Sequence, residues 1–170
     1  SHTHIRRVSV SSLLRTQFEW FYPLSEQHQI QFKIDAPKEL YWNTDSVYFK
    51  KILANLISNA FKYTEDGGTV RISLHEEENF LVLKVYNTGK GIEEADMQNI
   101  FDRYRILGTM DNDDNRQNTT RNGLGLFICH SLVQSLGGKI DIESEVGQYA
   151  EFTVTLPFGI VEETSDNTID

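Results

Sequence analysis

Within "NLISNAFKYT", residues 55–64, two side-chain amides and an ammonium recur at helical spacing: Asn55, Asn59 and Lys62. At about 100° per residue these three fall in one narrow stripe. Leu53, Leu56, Ile57 and Ala60 fill most of the opposite arc. The amides and the ammonium are therefore expected to face something other than the apolar core. A solvated polar face is one reading, since surface helices carry one. The other is chemical: magnesium takes oxygen ligands and a polyphosphate takes a cation. Two amide carbonyls beside a lysine suit a metal-bound polyphosphate.

Two glycine turns offer related chemistry. In "VYNTGKGI" an alternating run ends on Asn87, and Gly89 and Gly91 follow. Glycine permits positive φ and a close backbone approach, here to a flat ligand, and an amide at the strand end can bind a purine edge. A plain strand-to-helix turn has the same appearance. "RNGLGLFICHSL" runs a glycine-rich turn straight into a helix start, where free amides and the positive dipole end suit phosphate. An ordinary helix start is the alternative there. Between the two lies a polar stretch without periodicity, residues 102–122, of the kind that serves as a lid or stays disordered. Arg103, Arg105, Arg116 and Arg121 lie in or beside it.

The elements that must position these groups follow from pattern. "VSVSSLLRTQFEWFYPLSEQHQ" predicts a short strand and then a helix capped by Ser11 or Ser12, which Pro23 kinks or interrupts. "IQFKI" and "LYW" read as short strands, and Thr44 or Asp45 caps a long helix through Lys62. "GTVRISLHEEENFLVLKVYN" reads as a hairpin, "EEADMQNIF" as a short helix, "GLGLFICHSLVQSLGG" as an apolar helix, and "KIDIES" with "AEFTVTLP" as a closing strand pair. This order predicts an α+β fold, with helices packed on one face of a mixed, mostly antiparallel sheet.

Bulk properties narrow the function. A chain of 170 residues with 39% apolar and 24% charged residues suits one globular domain. The net charge of −9 argues against nonspecific contact with nucleic acid or an anionic membrane. Cys129 is the single cysteine, so no disulfide framework or cysteine metal cluster is possible, and a cytosolic setting is expected. No apolar run reaches the length of a membrane span. Residues 1–7 read as a tag or linker, 8–158 as the domain, and 159–170 as an acidic linker or frayed tail.

Taken together, the amide helix, the strand-end Asn with its glycine turn, "IFDRY", the polar loop and "GLGL" resemble the catalytic, ATP-binding domain of sensor histidine kinases. That domain belongs to the superfamily shared with gyrase, Hsp90 and MutL. The resemblance implies a two-layer α/β sandwich of the Bergerat type and covers roughly residues 8–158. It implies Asn59 as the Mg2+ ligand with Asn55 assisting, Lys62 on the phosphates and Tyr63 against the adenine. Asn87 stands where the family has the aspartate that accepts from the adenine amine. Gly89, Gly91 and Ile92 would border the base, Phe101 would anchor the start of a lid at about 102–122, and the segment Gly123, Leu124, Gly125, Leu126 would bring amides to the phosphates.

Several positions depart from the family pattern. Asn87 is an uncharged, weaker acceptor than a carboxylate. Arg121 stands where a lid-closing glycine is common, Tyr149 replaces the second glycine of a later turn, and Ile106 stands where many members have arginine. Arg103 or Arg105 would then take over the phosphate contact. These departures motivate an alternative: a degenerate nucleotide-binding domain acting as a regulatory docking module.

Hydrolysing members of the superfamily use a glutamate one turn before the metal-binding asparagine as general base. Here that position is Asn55, and an amide cannot take a proton from water near neutral pH. The resemblance therefore favours a kinase, with a γ-phosphoryl group handed to an outside nucleophile. In the family that nucleophile is a histidine on a separate dimerisation hairpin, which then feeds a response-regulator receiver domain. His2 and His4 are read as tag or linker residues, because about 50 residues before Asn55 cannot hold two long helices as well. A monomer is expected, without the hairpin. "RYRIL" and "RNGLGLFICHSL" are similar to hybrid sensor kinases of Bacteroides-type bacteria, in which a receiver domain follows.

Overall fold

The computed structural model describes residues 2–102 and 124–162. In chain order the elements are β1 (Arg6–Ser9), α1 (Val10–Gln27), β2 (Gln31–Asp35), β3 (Tyr41–Thr44), α2 (Ser46–Tyr63), β4 (Thr69–Glu77), β5 (Phe80–Thr88), α3 (Glu94–Met97), α4 (Leu124–Ser135), β6 (Lys139–Glu145) and β7 (Tyr149–Pro157).

Five strands form one mixed sheet in the order β2-β4-β5-β7-β6. Only β2 and β4 run parallel; the remaining neighbours are antiparallel. Alternation along the strands sorts the two faces. Val70, Ile72 and Leu74 of β4, Leu81, Leu83 and Val85 of β5, and Phe152, Val154 and Leu156 of β7 are buried. Arg71, Lys84, Tyr86, Glu151 and Thr153 occupy the alternate positions and face outward. The buried face packs with Leu14 of α1, Leu53, Leu56 and Ile57 of α2, and Cys129 and Val133 of α4 in one core. One covered face and one polar face is the two-layer arrangement that the strand patterns predict. The Cys129 thiol lies wholly inside this core, and its burial pushes its pKa up to about 12. It is a packing residue rather than a nucleophile.

Caps explain where the helices begin, and the first differs from expectation. Ser9, not Ser11 or Ser12, caps α1, its Oγ accepting from the Ser12 amide at 3.4 Å. Ser11 is buried and its Oγ instead accepts from the Leu40 amide at 2.9 Å. The helix also runs through Pro23 without interruption. Asp45 caps α2, with Oδ1 accepting from the Tyr48 amide at 3.0 Å. Its other oxygen, Oδ2, accepts from the His4 amide at 2.8 Å.

That second bond lies beside a two-stranded sheet whose strands the sequence predicts but whose pairing it does not. Strand β1 pairs antiparallel with β3, Arg6 opposite Thr44 and Arg7 opposite Asn43. The ordered fold thus begins before residue 8. At the other end Gly159 donates its amide to the Asn43 carbonyl at 2.9 Å and accepts from Asn43 Nδ2 at 3.0 Å. The Trp42 indole donates to the Pro157 carbonyl at 2.9 Å. Both described ends of the chain therefore lie along β3. No helix among the described residues is long and apolar enough to cross a membrane.

Candidate functional site

Helix α2 runs from this end of the molecule to the other, where its last turn meets the end of β5. Tyr63 closes the helix, and the Gly89 backbone lies so close to the Tyr63 carbonyl that a Cβ on Gly89 would collide with it. The same imaginary Cβ would be 3.5 Å from Nδ2 of Asn87. The "NLISNAFKYT" helix and the "NTGKGI" turn, separate in sequence, thus converge on one place.

The polar stripe of α2 is not a solvated face. Asn59 is 6% exposed and Lys62 is 4% exposed, while Asn55 is half-buried. Asn59 nevertheless makes no side-chain hydrogen bond to any described residue. A buried amide without a partner costs about 1–3 kcal/mol, so such a group marks a position where something else supplies the contact. Lys62 lies in the last turn of α2, where the helix dipole favours a cation. Desolvation by burial still lowers its pKa from 10.5 to about 8. Its Nζ sits 5.2 Å from the centroid of the Tyr63 ring.

Asn87 is 2% exposed at the end of β5. Its Nδ2 donates to the Thr88 carbonyl at 3.0 Å. A carbonyl can only accept, so this bond fixes which way the amide points. Oδ1, the acceptor, is left without a partner among the described residues. The amide is therefore built into its surroundings. A carboxylate at this position would place an oxygen against the Thr88 carbonyl, and only its protonated form could donate. Asn87→Asp should accordingly lower the melting temperature, and by more at pH 8 than at pH 5. An unchanged melting temperature at both pH values would contradict this role of the amide.

Gly89 and Gly91 have positive φ, 151° and 72°. These glycines have a structural role as well, because protein packs closely against them. Gly89 faces the Tyr63 carbonyl, and a Cβ on Gly91 would lie 2.6 Å from the Glu145 carbonyl oxygen and 2.9 Å from Ser144 Oγ. Ile92 is buried just beyond, within the core. Phe101 stacks on His130 of α4, with ring centroids 4.6 Å apart and planes at 17°. It thereby joins the residues after α3 to the helix that begins at Leu124. Gly125 and Leu126 are buried in the first turn of that helix. Arg103, Arg105, Ile106, Arg116, Arg121, Gly123, the Leu124 side chain and the expected lid at about 102–122, apart from Asp102, lie outside the described residues. Tyr149, the departure in the later turn, stacks on Tyr86 at 5.5 Å on the outer face of the sheet.

The donor set fits a particular kind of ligand. Among the described residues no three His, Cys, Asp or Glu side chains gather to hold a metal. Magnesium, however, is commonly held by few protein oxygens together with substrate phosphates and water. The amide of Asn59, without a partner among the described residues, has the chemistry for that role, and a lysine has the charge a phosphate needs.

Residues 44–160 match the family described as histidine kinase-, DNA gyrase B-, and HSP90-like ATPase. The chain belongs to this ATPase family. Within it the chain is 36% identical, over 120 residues, to the sensor protein SrrB of Staphylococcus aureus (strain NCTC 8325 / PS 47). That match covers 71% of this chain and 20% of SrrB, so the chain spans about a fifth of the length of the curated relatives it matches. Full-length ShkA in complex with AMPPNP has the same fold, with a TM-score of 0.79 and 26% identity over 93% of this chain and 32% of ShkA. The catalytic domain of the histidine kinase ThkA, nucleotide-free, superposes with a TM-score of 0.78 at 23% identity, covering 92% of this chain and 97% of that domain. The fold of this ATPase family member is that of histidine kinase catalytic domains.

Sequence reasoning missed Ser144 and Thr88 at this site. Ser144 stands more than 50 positions from Gly91, and nothing in "IDIESEVGQY" signals the contact.

Proposed function

We propose that this chain is the Mg-ATP-binding catalytic domain of a two-component sensor histidine kinase. The observation that carries the reading is the pair of buried amides, Asn59 and Asn87, whose oxygens find no partner among the described residues. Asn87 Oδ1 accepts from the amino group of adenine. Asn59, assisted by Asn55, supplies oxygen to magnesium, and Lys62 contacts the phosphates. Magnesium, when bound, would neutralise charge on the phosphates. Asn55 offers no base to activate water. As the resemblance to histidine kinases implies, the nucleophile is a histidine nitrogen on a dimerisation hairpin: it forms the new N–P bond as the bond to the ADP oxygen breaks, and ADP leaves. The phosphoryl group then passes to an aspartate of a receiver domain. That SrrB is a sensor protein, and that ThkA has been solved in complex with the response regulator TrrA, supports this assignment. A cytoplasmic location accords with it.

The test is to mix the chain with Mg-ATP and a phosphoacceptor hairpin. Acid-labile phosphohistidine should form on the hairpin, while the chain alone releases almost no phosphate. Sustained phosphate release by the chain alone would refute the argument from Asn55. The uncharged Asn87 favours a second reading, a regulatory docking module; that reading predicts no saturable binding at millimolar nucleotide.

Lys62 makes the binding pH-dependent. With a free-state pKa of about 8, Lys62 loses its proton above that pH unless phosphate holds the charged form. ATP affinity should thus fall above pH 8, by up to about tenfold per pH unit. Lys62→Met should bind weakly with a flat profile. Equal slopes in the two proteins, measured by titration calorimetry from pH 7 to 9.5, would contradict the assignment. The stability effect has the opposite sense. Between about 8 and 10.5 the unfolded chain binds more protons at this lysine, so its contribution to stability rises with pH.

A further inference from the structure

The loop that carries Gly89 and Gly91 is held from outside by the turn between β6 and β7. Gly89 donates its amide to the Gln148 carbonyl at 3.2 Å, and Gly147 donates to the Lys90 carbonyl at 2.7 Å. Between these backbone bonds and the helix that follows stands one side chain. Ser144 Oγ accepts from the Ile92 amide at 2.8 Å and donates to the Tyr149 carbonyl at 2.7 Å. The hydroxyl thus uses both its capacities, one on the loop and one across its own hairpin, from β6 to the first residue of β7. Gly91 leaves the room for this: a Cβ there would lie 2.9 Å from Ser144 Oγ.

We propose that Ser144 is a positioning residue for nucleotide binding, acting through the loop 89–92. It rests on the reading of the site as an ATP site. Asn87 leads into this loop, and its Oδ1 meets the base only if the chain beyond it stays where it is. On one side the loop is backed by the Tyr63 carbonyl, at Gly89. On the other it is backed by the β6–β7 turn, and Ser144 is the only side chain for which a bond to a loop amide is found among the described residues. Without the hydroxyl the Ile92 amide, on a buried residue, loses its acceptor. The loop is then free to shift away from the base, while the metal and phosphate residues on α2 are untouched.

The experiment compares the unsubstituted chain with Ser144→Ala, Ser144→Cys and Ser144→Thr. Affinity for Mg-ATP is measured by calorimetry, and amide hydrogen exchange is followed along the chain. Ser144→Ala and Ser144→Cys should bind ATP roughly 5- to 20-fold more weakly, as the loss of one buried hydrogen bond predicts. Ser144→Thr, which keeps the hydroxyl, should bind within about twofold of the original. Exchange should accelerate at the Ile92 amide and its neighbours in 89–92 and remain unchanged in α2. Full ATP affinity in Ser144→Ala overturns the proposal. So does acceleration spread equally over α2, which would make Ser144 a general stabiliser. If the unsubstituted chain itself fails to bind ATP, the reading of the site is what fails. The exchange data then still report whether Ser144 holds the loop.

Discussion

Asn59→Ala is expected to weaken ATP binding in magnesium by more than about 100-fold while leaving the fold as stable as before, or more so. The two effects have opposite signs for one reason. The amide is 6% exposed and makes no hydrogen bond to a described residue, so its removal leaves no described group unpaired. Removing it also relieves the desolvation of an unsatisfied polar group. A merely structural asparagine would behave in the reverse way, with affinity kept and melting temperature lowered. Calorimetric titration in magnesium and in EDTA, together with thermal melts, distinguishes the cases. Should the substituted chain retain the original ratio of affinities in magnesium and EDTA, Asn59 does not hold the metal.

The second large effect is on stability. Gly89→Ala puts a methyl group against the Tyr63 carbonyl on a backbone with φ of 151°, a conformation that side chains rarely adopt. Backbone strain and overpacking each cost about 1–3 kcal/mol, so a loss of about 3 kcal/mol is expected. In a chain of this size that lowers the melting temperature by about 10 °C. Gly67 provides the control, since its φ is 83° but nothing lies within 4 Å of an added Cβ. Gly67→Ala should therefore lose only about 1 kcal/mol, the strain alone. If the two variants melt together, the contact with Tyr63 is unimportant and the junction of α2 with the base loop is looser than it looks.

These two residues also show how far the sequence could be read. The stripe of Asn55, Asn59 and Lys62 was legible because helical periodicity is a local property, and the strand faces were legible for the same reason. The glycines were legible by type, but their packing against protein was not. Their missing side chains make room for the carbonyls of Tyr63 and Glu145, contacts that depend on how distant segments pack. Three serines within residues 9–12 are equivalent as caps in sequence, and the contact with Leu40 takes one of them, Ser11, away from capping. Strand β1 was legible as a short strand, but its start at Arg6 and its pairing with β3 were not, because Arg6 and Arg7 give it no apolar alternation. Ser144 was invisible because its partner on the loop, Ile92, is more than 50 residues away.

The geometry of the chain ends has a mechanical side. Residues 4 and 159 are both fastened beside β3, next to the start of α2, while Tyr63 and Gly89 lie at that helix's other end. Eighteen helical residues separate the two, a distance of about 27 Å. Anything joined to either end would grip the domain at one point, with the Tyr63–Gly89 junction at the tip of a rigid arm. A swing of about 20° at that grip would carry the tip through roughly 9 Å. The candidate site could thus be moved without any change inside the domain.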